Sequence, residues 1–329
     1  MFKSFKSSEE AYYGVLNLLS KQKDEDYNDY VNIPTKKIYN LNFDIKKPRL
    51  NLIKNSTRNI NYKMLLGELF YHLQGKDDID SIRAYNSSYE KLSDDTTTIN
   101  GMLGARIFYY DSLFDFYEKE KVNEDGDTIK EYICDHIVIN QFEKCVEKIN
   151  TTKSFNICIY NPTFDINTIH PANISNLLFY VDDNKLNMSV NILNLDFYTR
   201  FPYLSFILSN LLAVMSAQLK IKVGKINFNC NILTTLTNKC KIDEELIYTS
   251  DEKVEDFDFY DIDEFTTIFD IELLTRVQGS LINVEDLKSK LDSITNKYWK
   301  SLIAVLAKLN VESNDFDDYI LEEHRKMLE

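Results

Sequence analysis

The sequence predicts an α+β fold on three observations. Apolar and polar residues alternate at 154–160, 177–181, 186–193 and 221–233, so strands cluster in the second half of the chain. Two apolar stretches, 64–73 and 201–219, read as buried helices. Strands and helices do not take strict turns, which argues against a βαβ succession. With 20 Phe and 21 Tyr but only 8 Gly and 5 Pro in 329 residues, a large core is available, and a disordered tail or linker-rich chain is excluded.

Taken in order, Ser8 to Leu19 has the pattern of a short amphipathic helix, with Ser8 as cap and Glu9 and Glu10 in the first turn. Residues 35–54 read as extended, punctuated by Pro34 and Pro48. A helix capped by Asn61 follows and stops at Gly75, which suits the left-handed position past a helix end. A second helix is expected over 80–92, opened by Asp80 or Ser81. The spacing of Ile129, Ile133, Ile137, Phe142, Cys145 and Ile149 predicts a helix over 129–149. Asp182-Asp183-Asn184-Lys185 is hairpin chemistry between two strands, because Asp and Asn tolerate positive φ. The three-four spacing from Val284 to Leu309 predicts a C-terminal helix carrying Trp299, the single tryptophan.

The formal net charge is −14, from 38 basic and 52 acidic residues. Segment 242–264 holds 11 acids and one Lys, so it carries −10 of that charge and the rest of the chain only −4. Non-specific coating of nucleic acid is disfavoured, since phosphate neutralisation needs excess Lys and Arg. The segment reads either as a solvated loop or as a contact site that mimics nucleic acid or docks a basic partner, with Asp256, Asp258, Phe259 and Asp261 as candidate contacts. Five cysteines without CxxC spacing, and four scattered histidines, predict neither a disulfide framework nor a metal site. Cys158, inside an alternating strand, is expected in the core. No signal-peptide pattern opens the chain, and 201–217 is interrupted by Ser and Asn, so a cytoplasmic protein without a membrane span is expected.

Residues 58–108 resemble the thymidylate synthase family, including its viral pyrimidine hydroxymethylase branch. The resemblance rests on Leu66-Gly67-Glu68 through Leu73-Gln74-Gly75, Tyr85-Asn86, and Gly101-Met102-Leu103-Gly104-Ala105-Arg106. It continues at Tyr160-Asn161-Pro162, at the hairpin 177–190, and at Asp196 with Pro202 six residues on, covering about 40 to 233. It implies a mixed twisted sheet flanked by helices, and a homodimer built by sheets packing back to back. Together with the charge run and the C-terminal apolar spacing, the expected division is a core at 1–240, an acidic insertion at 241–270 and a C-terminal helical part of the same domain at 271–329.

Family chemistry needs a cysteine thiolate that adds to the pyrimidine ring. The matching position is Ala172, between Pro171 and Asn173. The phosphate-binding Arg-Ser of the family becomes Leu193-Asn194, and the Arg pair lent by the partner becomes Lys153-Ser154. The base-reading Asn becomes Leu204, the ribose-holding His-x-Tyr becomes Asn231-Ile232-Leu233, and the turn Tyr becomes Leu103. The tail that closes over folate has no counterpart, so no cofactor is expected. Glu68 and Asp196 persist. The resemblance makes Glu68 an organiser of water and proton transfer and Asp196 a pterin contact. Read alone, Glu68 is a buried helix acid bonded to backbone amides and Asp196 a cap at a strand end. The resulting expectation is a catalytically inactive member acting as a binding, scaffold or regulatory subunit. The alternative is a divergent enzyme transferring a methyl or hydroxymethyl group to a pyrimidine nucleotide or nucleoside. Richness in Asn, Lys, Ile and Tyr, with the viral-branch resemblance, points to a phage or other viral source and hence to host cytoplasm.

Overall fold

The computed structural model describes residues 2–28, 33–53, 58–122, 126, 128–240 and 262–328. The expected acidic contacts Asp256, Asp258, Phe259 and Asp261 lie outside the described residues.

Strand β1 (Phe2–Phe5) leads into α1 (Ser8–Ser20). Its cap is Ser7 rather than Ser8: the Ser7 hydroxyl accepts from the Glu10 amide at 3.2 Å, and Ser8 is already helical and buried. The extended stretch is β3 (Ile33–Ile45), preceded by the short β2 (Asp24–Asn28). It stops at Ile45, because Leu50 turns back to accept from the Ser8 amide. Helix α2 (Tyr62–Leu73) starts as expected, with Asn61 Oδ1 accepting from the Met64 amide at 3.0 Å. Gly75 follows at φ +69°, where a side chain would also strike the Tyr109 ring. The helix expected over 80–92 is split into α3 (Ile79–Arg83), capped by Asp78, and a 3-10 turn (Ser87–Leu92) capped by Asn86. Asn86 breaks the run because its side chain accepts from the Ser88 amide, which competes with helical bonding.

Helix α4 (Leu103–Phe108) precedes a ribbon of two antiparallel strands, β4 (Tyr110–Val122) and β5 (Thr128–Ile139). The helix expected over 129–149 is therefore corrected to a strand followed by α5 (Gln141–Thr152), capped by Asn140. Ile129, Ile133 and Ile137 recur every four residues, a spacing that one strand face satisfies as well as one helix face. The pairing of β4 decides between them.

Next come β6 (Ser154–Cys158), α6 (Pro162–Asp165), β7 (Ile174–Asp182) and β8 (Lys185–Asp196). Asp183 and Asn184 sit at φ 48° and 56°, the two positive values a type I′ hairpin requires. Helix α7 (Phe197–Leu219) has 23 residues, apolar enough by length and composition to cross a membrane, but 83% of its most apolar window is buried in the fold. Strand β9 (Lys222–Leu236) completes the sheet. The C-terminal helix is interrupted: α8 (Ile262–Gln278) and α9 (Val284–Ser293) are followed by α10 (Lys297–Val311) and the short α11 (Glu322–Arg325). Asn296 breaks the run by accepting from the Tyr298 and Trp299 amides. Helix α8 runs across position 270, where the acidic insertion was expected to end.

The sheet is mixed, in the order β1-β3-β9-β8-β7-β6 with β2 on β3. β1 and β3 are parallel, as are β8 and β9, and the other neighbours are antiparallel. One face carries Leu186, Met188, Val190 and Phe228, all fully buried in one core with α1 and α7. Phe43 stacks on Phe228 at 4.9 Å and Phe197 on Phe201 at 4.4 Å. Each such ring contributes about 1.5–3 kcal/mol by burial. Trp299 of α10 meets Phe265 edge-on at 5.0 Å and Phe70 of α2 at 6.5 Å, so the C-terminal helices close the far side of α2.

Candidate functional site

The turn at Ala172, where the sequence resemblance expects a nucleophile, is held by a short lock. Asn161 caps α6, its side chain accepting from the Thr163 amide at 3.1 Å, with Pro162 at the first helical position. The helix ends on Asp165, which is buried and gathers the site around its two oxygens. Oδ1 accepts from the Ala172 amide at 3.0 Å and from Asn100 Nδ2 at 2.7 Å. Oδ2 accepts from the Asn161 amide at 2.6 Å, with Arg106 at 3.6 Å. Arg106 in turn donates to Asn100 Oδ1 at 2.6 Å. Ala172 is only 4% exposed, and a side chain at Gly101 (φ +73°) would come within 2.9 Å of its backbone. The turn at 171–173 is thus held in place from several sides, while the side chain it presents at 172 is a methyl.

The second part lies between α2 and α7. Glu68 is fully buried, and Arg200 meets it with both arms of its guanidinium, Nη1 to Oε1 at 3.2 Å and Nη2 to Oε2 at 3.1 Å. Arg200 also donates to the Tyr89 hydroxyl at 2.7 Å and lies over the rings of Tyr89 and Tyr203. Burial alone would lower the Arg200 pKa, but the adjoining Glu68 carboxylate reverses this and holds it above its ordinary value. The expectation that Glu68 bonds backbone amides is therefore corrected, because its partner is a guanidinium. One turn along α2, His72 is pushed down to about 3 by burial and by the charge of Arg200. Its Nδ1 accepts from the Gly104 amide at 3.2 Å, so it is neutral and anchors α4, which follows Gly101, the residue that lies against the Ala172 backbone.

Asn173, just before β7, and Asn194 and Asn231, on neighbouring β8 and β9, are all exposed, the Leu193 amide donating to Asn173 O at 2.8 Å and Asn194 standing opposite Ile232. Asp196 is the cap of α7, its Oδ1 accepting from the Thr199 amide at 3.4 Å. Cys158 is exposed rather than in the core, because it points to the outer face of edge strand β6. Cys230 is buried and its thiol is pushed up to about 12, which withholds the thiolate. His170 is half-buried beside the turn. Sequence reasoning missed the Arg200–Tyr89–Tyr203 cluster and the Asp165 lock. The available signal was a Glu amid Leu65, Leu66, Leu69 and Phe70, which requires a charged partner.

Chemically, the arrangement holds a turn and a carboxylate in fixed places but offers no nucleophile at 172 and no unengaged Glu68 oxygen. Among the described residues no group of His, Cys, Asp and Glu could hold a metal ion. The mixed sheet thus carries a loop in which Gly101 packs on Ala172 and Arg106 meets Asp165 of the Asn161-capped α6. The thymidylate synthase family model matches residues 13–274, and the chain belongs to that family. No curated protein matches it.

Proposed function

We propose that this chain is a thymidylate synthase-like protein that has given up covalent pyrimidine chemistry and works as a binding, scaffold or regulatory subunit. The observation that carries this reading is Ala172: its backbone is locked by Asp165 at the position the family resemblance gives the nucleophile, while the side chain it presents has no lone pair to attack a ring. The bidentate engagement of Glu68 by Arg200 supports it, since both carboxylate oxygens are already committed. Leu193 at the phosphate-binding Arg position and Leu204 at the base-reading Asn position support it further, because an apolar side chain leaves a phosphate or a base edge without a hydrogen-bond partner. A homodimer through the outer sheet face and a basic partner for acidic segment 242–264 belong to the same reading.

Incubation with a pyrimidine nucleotide and reduced folate is expected to yield no methylated or hydroxymethylated product. Thermal-shift titrations with nucleotide, nucleoside and folate are expected to leave the melting temperature unchanged. Product above the protein-free control, or stabilisation that grows with ligand concentration, would favour the divergent enzyme instead. Deleting 242–264 is expected to shorten the list of co-purifying proteins, and an unchanged list removes that contact from the proposal.

A further inference from the structure

The Glu68 cluster has the composition of a cation cage. A fully buried carboxylate forms its floor, and two aromatic rings, Tyr89 and Tyr203, each only 4% exposed, line its sides. The guanidinium inside uses a fork geometry on Glu68, a third contact to the Tyr89 hydroxyl, and both ring faces, at 5.5 and 5.7 Å from their centroids. A guanidinium fits such a set better than an ammonium does, because its planar fork matches the carboxylate and its face lies flat on rings. The cage also has an open side: a third of the Arg200 side chain, 35%, stays exposed while Glu68 is fully enclosed. Arg200 therefore reaches the carboxylate from the surface and does not pass through the core.

We propose that Glu68, Tyr89 and Tyr203 form a guanidinium receptor, and that the chain fills it with its own Arg200. Any ligand that needs Glu68 must first displace this side chain. The inference stands on the cage geometry alone and is separate from the loss of catalysis.

The test is Arg200→Ala titrated with methylguanidinium at low millimolar concentration, with methylammonium as the non-planar control. The variant is expected to melt below the parent chain and to regain stability in a saturable manner with methylguanidinium, and much less with methylammonium. The parent chain, whose cage is full, and the double variant Glu68→Gln/Arg200→Ala, whose cage has lost its charge, are expected not to respond. A destabilised Arg200→Ala that ignores methylguanidinium overturns the proposal and leaves a plain ion pair. If Arg200→Ala does not fold alone, refolding is repeated with each cation. Recovery of folded protein with methylguanidinium only supports the receptor, and no recovery, or equal recovery with both cations, overturns it. Product formation is not a readout in any arm, so this result and the catalytic assay fail independently.

Discussion

Asp165 carries more of the site than any other single residue. Three N–H donors and the Arg106 guanidinium converge on its two buried oxygens. Asp165→Ala leaves Arg106 buried without its charge partner, and breaking a buried pair from one side costs about 3–5 kcal/mol. Urea denaturation is expected to show a loss of that order, with a smaller loss for Asp165→Asn, which retains an acceptor. His72 sets an acid dependence. Its pKa is about 3 in the fold against 6.5 for the free side chain, so below about 6.5 the unfolded chain binds a proton that the folded chain refuses. Its contribution is complete above pH 6.5, declines as pH falls, and levels off near 3, at a limiting slope of about 1.4 kcal/mol per pH unit. Denaturation midpoints between pH 7 and 4 are expected to fall less steeply in His72→Gln than in the parent chain. At this scale the sequence revealed what had been replaced, because Ala172, Leu193 and Leu204 are readable one by one against motif neighbours. It could not reveal Arg200 as the partner of Glu68, since the two lie 132 residues apart and meet only when α7 packs on α2.

At the scale of elements, the caps decide where helices begin, and they separate structure from function at Asp196. Its side chain closes the first turn of α7. Asp196→Ala is expected to lose about 0.5–2 kcal/mol, whereas Asp196→Asn, an equally good cap, stays close to the parent. If both substitutions are neutral in chemical denaturation, the cap contributes nothing and the side chain is retained for another reason. Legibility followed the same logic. The hairpin at Asp183-Asn184 and the start of α2 at Asn61 were readable because the signals are local. The strand β5 was not, because a four-residue spacing of isoleucines satisfies both periods and only the partner strand β4 breaks the tie. Ser7, Asn86 and Asn296 show the converse: a single polar side chain shifted or split an element whose apolar spacing ran on without interruption.

At the scale of the whole molecule, the two faces of the sheet differ in kind. The inner face is sealed by α1 and α7. The outer face carries a ladder of amides across four strands. Asn229 donates to Asn191 at 2.9 Å, Asn191 to Asn176 at 3.0 Å, and Asn176 to Asn156 at 2.5 Å. Asn229 also reaches Ser189, and Asn227 donates to Tyr180. Asn176, Ser189, Asn191, Asn227 and Asn229 remain part-exposed, so the ladder is internally bonded yet keeps unused amide valences facing outward. A second copy related by a two-fold axis presents the same row, and neutral donors and acceptors can pair across it without the desolvation cost of charges. The proposed homodimer therefore predicts a light-scattering mass of twice 38.6 kDa at micromolar concentration. Asn191→Lys puts a cation into this row on both copies, so like charges meet and two ammonium groups are desolvated together. It is expected to give a folded species of 38.6 kDa with the circular dichroism of the parent. Asn191→Ser, neutral and smaller, is expected to remain dimeric. A parent chain that is monomeric at these concentrations, or a lysine variant that still runs as a dimer, places any self-association on another surface.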